Sequence, residues 1–447
     1  MSELRTIARH AGTLLVGQLA VMAFGVTDTI VAGRYAGEAL AALSVGAAVY
    51  ISVFVALMGV LQALLPIWAE LHGGRRGPAL GISVRQALYL ALIGAAAGVP
   101  MLLFPGAILD WTEVPPALQA DVREYLAVLA LALPPALLFR MFSTLNQSLG
   151  KPKLVTWLQT GALAVKVPLT AWFCFGGLGV PALGAAGCAL ATVVVNYLLL
   201  VMAIWLLRTQ DLYEPYAIWR PMERPDWPTI RQYARLGIPG GLAILVEVTS
   251  FTLMSLFIAR QGTLATAAHQ IAANLAAVLF MTPLSIGIAT SARVSYWLGA
   301  GDPKQARSAI RSGLKLGLLL ALAYAAIVFA ARHGIASIYT RDAEVAALAA
   351  SLLAWLALYH LGDAAQGLCV FVLRSYRVVI APLVAYTVTL WGLGLAGGFV
   401  LAYRGLGPWT AQHSPQAFWL AASAALALLS LILPLILWRA VRRYRPA

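Results

Sequence analysis

The sequence predicts an all-α polytopic membrane protein with twelve transmembrane helices in two parallel-repeat six-helix bundles. Three observations support this class: an apolar composition, twelve long apolar runs and an internal repeat. Of the 447 residues, 61% are hydrophobic and 11% are charged, with a mean hydropathy of +0.83. A soluble globular domain has about 45–50% apolar and about 25% charged residues. A soluble protein is therefore excluded.

Twelve apolar runs are predicted to cross the membrane, because a helix needs about 20 apolar residues to span a bilayer. The predicted spans are 11–33, 42–66, 87–109, 125–146, 154–175, 182–207, 236–259, 267–292, 314–331, 346–372, 379–402 and 417–438. The loops between them are too short for a catalytic or ATP-binding domain.

Basic residues are distributed unequally over the two sides of these spans. The side of the N-terminus carries 24 lysines and arginines, the other side carries six, and Lys166 lies inside a span. Because cytoplasmic loops are enriched in basic residues, both termini are expected in the cytoplasm. The net charge of +14 is thus explained by topology, and a nucleic-acid partner is not expected.

A polar stretch at residues 208–235, whose four prolines are expected to break any helix, divides the spans into two sets of six. It is interpreted as a cytoplasmic linker between bundles at 1–207 and 236–447. A constant offset of 226 residues aligns five landmarks of the two halves: Arg5 with Arg231, Arg9 with Arg235, Gly73 with Gly299, Lys151 with Arg377, and Gly179 with Gly405. Since each half starts on the same side, the repeat is parallel. Such repeats are typical of transporters that work by alternating access.

Four ionisable residues inside predicted spans stand out: Asp28, Lys166, Glu247 and Asp363. Such a residue costs about 2.5–3.5 kcal/mol near the centre of a membrane helix, so each is a functional candidate. Three of the four are acids, which favours a cationic ligand. Each acid alone is also compatible with a packing role, hydrogen-bonded across the bundle.

Other candidates come from neighbouring positions in the predicted spans. Tyr359 and His360 share a helical face with Asp363, so a ring, an imidazole and a carboxylate can surround one cation. Gln270 belongs to a polar stripe on the eighth span, where amides often join helices. Phe280 is a candidate for an apolar wall around a drug, although apolar residues in membrane helices usually face lipid or core.

Enzyme motifs are absent: the sequence contains no nucleophile paired with a base, no HExxH and no P-loop. No cofactor is expected other than Na⁺ or H⁺ as coupling ion. Two buried acids cannot both stay ionised without a cation or a proton nearby. Na⁺, H⁺ and a cationic substrate therefore become competing occupants of one site.

Four segments carry a resemblance to a known family: GVTDTIVAG in the first span, LVEVTSF in the seventh, VLRSYRV after the tenth, and FGGLGVPALGAAGCALAT around the sixth. In this order and spacing, the chain resembles the multidrug and toxic compound extrusion (MATE) family, and its NorM-like branch in particular. The similarity extends over essentially the whole chain.

The resemblance implies specific roles for the candidate residues. Glu247 and Asp363, with Tyr359 close by, are expected to bind the coupling ion, and they are the metal ligands if that ion is Na⁺. Asp28 is expected to be the acid of the N-terminal cavity. Asp342, in the outer loop TRDAEV, matches an acid that the family can present to drugs, although exposed loop acids are usually only solvated.

The family also implies a function. The chain is expected to be a multi-pass antiporter of the bacterial inner membrane that exports lipophilic organic cations in exchange for Na⁺ or H⁺. Its partners would be small cationic drugs and membrane lipids, and no obligatory protein partner is inferred.

One position departs from the family pattern. Where members commonly carry two asparagines four residues apart on the fifth span, this chain has Lys166 and Thr170. A buried lysine is tolerated mainly when it is paired or neutral. Lys166 therefore forms an ion pair with Asp28, faces another acid, or has lost its proton.

Two other functions remain as alternatives. A flippase for a lipid-linked glycan or a peptidoglycan precursor needs a cationic cavity for its pyrophosphate, whereas the buried acids here outnumber the buried bases. A channel or an integral-membrane enzyme is disfavoured by the repeat and by the missing catalytic motifs.

The topology can be tested with single cysteines placed in the 208–235 linker and beside Arg442. Both are expected to react with a membrane-impermeant thiol reagent only after the cells are opened, because the basic asymmetry assigns both to the cytoplasm. Labelling of the linker in intact cells would contradict the twelve-span topology and the parallel repeat.

Overall fold

The computed structural model describes residues 2–106, 109, 115–177, 179–405, 407 and 410–444. In these residues, twelve helices are long and apolar enough to cross a membrane. We number them in chain order: α1 Glu3–Tyr35, α2 Gly37–Gly73, α3 Gly77–Leu103, α4 Pro116–Ser148, α5 Pro152–Phe175, α6 Gly184–Thr209, α7 Trp227–Ala259, α8 Thr263–Gly299, α9 Pro303–Tyr339, α10 Ala343–Ser375, α11 Ile380–Tyr403 and α12 Pro415–Arg443. The predicted all-α polytopic class is confirmed.

Several helices extend beyond the predicted apolar runs, whereas α3 ends at Leu103, before the predicted limit of 109. Among the extended helices, α9 has 37 residues, whereas the sequence predicted only 314–331. Its polar first turn is stabilised by Asp302, whose Oδ1 accepts hydrogen bonds from the backbone amides of Lys304 (3.1 Å) and Gln305 (3.0 Å). Polar residues at such ends interrupt an apolar run, but they do not interrupt the helix.

The linker was predicted to be free of helix, and this is wrong at its C-terminal end. The α7 helix begins at Trp227 instead of residue 236. Pro228 does not break it, because a proline in the first turn lacks only an N–H group that has no partner inside the helix. Earlier in the linker, Asp211–Tyr216 forms a short 3₁₀ helix.

The chain forms two compact units, Val16–Gly241 and Met1–Leu15 with Leu242–Ala447. We refer to them as the N-terminal unit and the C-terminal unit. The divisions fall inside α1 and α7, at positions that the 226-residue repeat makes equivalent. The predicted bundle limits at 207 and 236 describe the order of the spans along the chain and stay a prediction.

Each unit is built around one central helix, and the repeat relates these two helices. In the N-terminal unit, α4 packs against α2, α3 and α6; in the C-terminal unit, α10 packs against α8, α9 and α12. The buried cores include Trp68 and Leu126 in the first unit and Phe418 and Trp419 in the second. The candidate residue Asp363 lies on α10.

The linker is held against α3 by a buried arginine in the N-terminal unit. Arg85 donates hydrogen bonds to both carboxylate oxygens of Glu223 and, at 2.6 Å, to the carbonyl oxygen of Ala217. The guanidinium holds the pKa of the Glu223 carboxyl below its usual range. A lowered carboxyl pKa stabilises the fold above the unfolded-state pKa, and this contribution is lost as the pH falls through the folded-state value.

A glycine permits the close contact between the linker and α3. A Cβ atom on Gly81 would lie 1.7 Å from the carbonyl oxygen of Tyr216. We expect Gly81→Ala to lower the unfolding free energy by about 1–3 kcal/mol through this overpacking, measured as a lower Tm of the purified protein in detergent.

Gly161→Ala is the matched control, because a Cβ atom there meets nothing within 4 Å. Alanine favours a helix over glycine by up to about 1 kcal/mol, so the control should keep or raise the Tm. Equal values for the two variants would show that the contact does not hold the linker.

Candidate functional site

Two acids of the C-terminal unit, Glu247 on α7 and Asp363 on α10, share one hydrogen-bonding partner. The side-chain amide of Gln366 donates from Nε2 to Asp363 Oδ1 (3.1 Å) and to Glu247 Oε1 (3.2 Å). Asp363 is 4% exposed and Glu247 is partly buried. The structure thus brings both predicted acids to one point, through an amide that the sequence analysis did not single out.

The side-chain carbonyl oxygen of Gln366 is available as a ligand. Gln366 Oε1 is buried and accepts no hydrogen bond from the described residues. Carboxylate and amide oxygens are the ligands that hard cations prefer. The described residues contain no cluster of three or more His, Cys, Asp or Glu side chains that suits a metal ion. Two carboxylates and an amide oxygen suit a hard cation, and either carboxylate can instead hold a proton.

A buried arginine, which the sequence analysis did not single out, lies near the two acids. Arg374, the penultimate residue of α10, is 4% exposed and interacts electrostatically with Glu247. Its guanidinium carbon lies 4.8 Å from the ring centroid of Phe371. An arginine at the end of an apolar run resembles a topology signal, so the sequence alone did not distinguish it from the loop arginines.

An irregular helical segment lies beside the Glu247 turn. Residues Thr387–Ala396 of α11 form a π-helix, and such segments often occur at functional sites. The indole N–H of Trp391 donates to the carbonyl oxygen of Val246 (3.2 Å), and the Ser250 hydroxyl donates to that of Leu390 (3.4 Å). These bonds attach α11 to α7 on both sides of Glu247.

The predicted neighbour Tyr359 lies in an aromatic cluster one turn before Asp363. Its ring centroid is 5.5 Å from that of Trp419 and 6.5 Å from that of Phe251. His269 completes the cluster: its Nδ1 accepts from the Trp419 indole (3.2 Å), and its Nε2 lies 2.7 Å from the Ser255 hydroxyl. These two bonds occupy both ring nitrogens of His269.

His360, the other predicted neighbour of Asp363, is buried. Its Nε2 has no hydrogen-bond partner among the described residues, and its ring centroid lies 6.1 Å from that of Tyr324.

Three further candidates, Gln270, Phe280 and Asp342, form no hydrogen bond with Glu247 or Asp363 in the part of the chain that the structure describes. Gln270 is exposed and reaches Asn274 Oδ1 at 3.5 Å. Phe280 is partly buried, and its ring would lie 4.0 Å from a Cβ atom on Gly367 of α10. Asp342 is exposed.

Asp342 has a local structural role at the start of α10. Its Oδ1 accepts hydrogen bonds from the backbone amides of Glu344 (2.9 Å) and Val345 (3.2 Å). This is the geometry of a helix N-cap. The carboxylate that was considered for drug binding therefore already stabilises the first turn of the helix that carries Asp363.

In the N-terminal unit, Asp28 and Lys166 form a buried ion pair. Lys166 Nζ lies 2.8 Å from Asp28 Oδ1 and 3.0 Å from Oδ2, and the lysine is 0% exposed. Thr170 donates its hydroxyl to Asp28 Oδ1 at 3.2 Å. Of the three possibilities that the sequence left open for Lys166, the structure contains the pair with Asp28.

The ammonium group of Lys166 has partners for all three of its N–H donors. Besides Asp28, it donates to the hydroxyl of Thr192 (2.5 Å) and to the carbonyl oxygen of Cys188 (3.3 Å). An ammonium carries three donors, so a charged lysine is fully satisfied here. This half of the chain supplies its own counter-ion to its buried acid.

The described residues contain twelve membrane-spanning helices in two units, with acids inside the apolar helices, and this arrangement is typical of a membrane transporter. The comparison with known families agrees: the family model described as MatE matches residues 14–172 and 239–400. The chain belongs to the MATE family, among its NorM-like members, and is a membrane transporter and not an enzyme.

Relatives match over nearly the full length of the chain. It is 36% identical to a protein named "Probable multidrug resistance protein NorM" from Aromatoleum aromaticum, covering 97% of this chain and 94% of that protein. It is 32% identical to "Multidrug resistance protein PmpM" of Pseudomonas aeruginosa, covering 99% and 93%. These relatives do not favour the flippase alternative.

Solved structures show the same fold. The MATE transporter VcmN of Vibrio cholerae superposes with a TM-score of 0.88 at 16% identity, covering 99% of this chain and 98% of that chain. The eukaryotic MATE transporter AtDTX14 gives a TM-score of 0.86 at 19% identity, covering 99% and 98%.

The ion pair can be tested by removing one partner or both. We expect Lys166→Asn to lower stability by about 3–5 kcal/mol, because Asp28 is left buried without its counter-ion. Lys166→Asn combined with Asp28→Asn should be milder, since no buried charge remains. The Tm of the purified variants in detergent measures the difference. A double variant as damaged as the single one would argue against the pair.

Proposed function

We propose that this protein is a secondary active antiporter of the bacterial inner membrane, with both termini in the cytoplasm. It exports lipophilic organic cations in exchange for Na⁺ or H⁺ by alternating access. The names of the relatives, which are multidrug resistance proteins, support drug export. The observation that carries the ion coupling is the pair of acids that share the amide of Gln366.

The charges of the C-terminal unit supply the driving force for ion binding. Glu247 and Asp363 contribute two negative charges when ionised, and Arg374 contributes one nearby positive charge. One negative charge stays without a fixed partner, and a buried uncompensated charge costs several kcal/mol. A cation or a proton from solution removes this cost.

Both Na⁺ and H⁺ are chemically suited to Glu247, Asp363 and Gln366. Na⁺ would take oxygens from the two carboxylates and the unused Gln366 Oε1. A proton would reside on one carboxylate and remove the repulsion between the two. The two modes differ in their dependence on Gln366, because only Na⁺ needs its carbonyl oxygen as a ligand.

Exchange follows because the coupling ion and the cationic drug compete for the negative charge of Glu247 and Asp363. When the site faces outward, the inward ion gradient loads Glu247 and Asp363, and a bound cationic drug is released. The loaded form then returns, discharges its ion into the cytoplasm and binds the next drug. Tyr359 supplies aromatic surface within one turn of Asp363, which is suitable for cation–π contact with an organic cation.

The N-terminal unit has a different role in this proposal. Asp28 is already neutralised by Lys166, so it attracts a cation only when the ammonium moves away. We therefore assign ion coupling to the C-terminal unit and treat Asp28 with Lys166 as a secondary substrate or proton site. Asp342, Gln270 and Phe280 remain candidates for drug contact.

The coupling site can be tested by amide substitution. Glu247→Gln and Asp363→Asn each keep size and hydrogen-bonding capacity but remove one negative charge. We expect either variant to lose drug efflux and to bind the ion at least tenfold more weakly, about 1.4 kcal/mol. Binding of ²²Na⁺, and drug-induced proton release if the ion is H⁺, are measured on the purified proteins.

Glu344→Gln is the matched control, because Glu344 is an exposed acid in the first turn of α10, the helix that carries Asp363. It should retain both activities. Full retention of ion binding and efflux in Glu247→Gln and in Asp363→Asn would locate the coupling site elsewhere in the chain.

The same assay separates the two ions. We expect Gln366→Leu to weaken Na⁺ binding at least tenfold if Na⁺ is the coupling ion, because a ligand oxygen is lost. If H⁺ is the ion, drug-induced proton release should persist in this variant. Unchanged Na⁺ binding in a protein that uses Na⁺ would exclude Gln366 as a ligand.

A further inference from the structure

A groove on the C-terminal unit combines basic side chains with an apolar floor. It lies between the N-terminal end of α9 and the C-terminal end of α12 and encloses about 380 Å³. Its lining residues are Arg307, Ile310, Arg311, Leu314, Pro434, Leu437, Trp438, Val441 and Arg442. This groove plays no part in the ion and drug sites described above.

The lining residues follow helical spacing on both walls. On each helix they recur three or four positions apart, which is the spacing of one helical face. The floor is buried, with Ile310 at 7% and Leu437 at 4% exposure, whereas Trp438 is 51% exposed at the rim. The groove is therefore a built feature of two helix faces, with an apolar interior and a polar edge.

Three arginines line the edge of the groove without an acid among the lining residues. None of Arg307, Arg311 and Arg442 forms an ion pair with a described residue. Arg442 lies over the indole of Trp438, with its guanidinium carbon 3.9 Å from the ring centroid. This contact places one face of the guanidinium group against the indole ring.

The position along the helices indicates where the ligand comes from. The groove lies at the end of α9 and α12 that is on the same side as the chain termini, where basic residues accumulate. Tryptophan is enriched at the level of lipid headgroups. Farther along α12, Leu431 and Leu435 are 66% and 61% exposed, as expected for a surface in contact with acyl chains.

We propose that this groove binds the headgroup of an anionic phospholipid from the cytoplasmic leaflet. The arginines would hold the phosphate, since guanidinium groups bind phosphate oxygens through paired hydrogen bonds. The apolar floor would take the first part of an acyl chain. Basic pockets between membrane helices on the cytoplasmic side are suited to such headgroups. A soluble phosphate would leave the apolar floor unused.

The test compares two triple variants that lose the same charge. The groove variant carries Arg307→Gln, Arg311→Gln and Arg442→Gln. The control carries Lys315→Gln, Arg439→Gln and Arg443→Gln, which lie on the same two helix ends outside the groove. Phosphatidylglycerol is titrated into each purified protein in a neutral detergent, and bound lipid is counted by native mass spectrometry.

We expect the wild type and the control variant to bind phosphatidylglycerol at least tenfold more tightly than phosphatidylcholine, and the groove variant to lose this preference. Equal losses in both triple variants would show a diffuse charge effect and overturn the proposal. Binding of free glycerol 3-phosphate as tight as that of the lipid would overturn it as well, because the source would then be a soluble phosphate.

Single substitutions keep the test decisive if the groove variant does not purify as a monodisperse protein. Arg311→Gln should then lower the affinity for phosphatidylglycerol at least threefold, while Lys315→Gln, four residues along the same helix, should leave it unchanged. Equal affinities for these two single variants would contradict the groove as the binding site.

Discussion

The cost of a charge inside apolar helices is the constraint on which this structure depends. The N-terminal unit meets it with a tethered cation: Lys166 lies 2.8 Å from Asp28 Oδ1 and is fully buried. The C-terminal unit meets it incompletely, because Glu247 and Asp363 share one amide. Because its acids lack a full set of fixed partners, we propose that the second unit binds a mobile ion and that this binding couples two fluxes.

The two halves therefore repeat the fold without repeating the chemistry. At the 226-residue offset, Asp363 corresponds to Leu137 and Glu247 to Val21, while Asp28 corresponds to Met254 and Lys166 to Gly392. Each of these four charged positions thus has an uncharged counterpart. The two halves share the helix arrangement, with α4 and α10 as the two central helices, but they differ in their buried charged side chains.

Much of this was predictable from the sequence, because hydropathy and isolated charges act locally. The twelve spans and the acids Glu247 and Asp363 were predicted from these signals. The ion pair of Lys166 with Asp28 was one of three hypotheses for Lys166. The bridging role of Gln366 was not predictable, since an amide three residues from an acid carries no signal without α7 beside it. The burial of Arg374, the π-helix in α11 and the docking of the linker through Arg85 also depend on tertiary contacts.

Drug efflux from proteoliposomes, with a Na⁺ gradient and a pH gradient imposed separately, tests the central claim most directly. The wild-type protein is reconstituted into proteoliposomes, and the vesicles are loaded with a fluorescent lipophilic cation. One gradient is then imposed at a time. If the uncompensated acids of the C-terminal unit couple the two fluxes, at least one gradient drives accumulation of the cation against its own gradient. Equilibration at the same rate with either gradient and with none would contradict ion-coupled export.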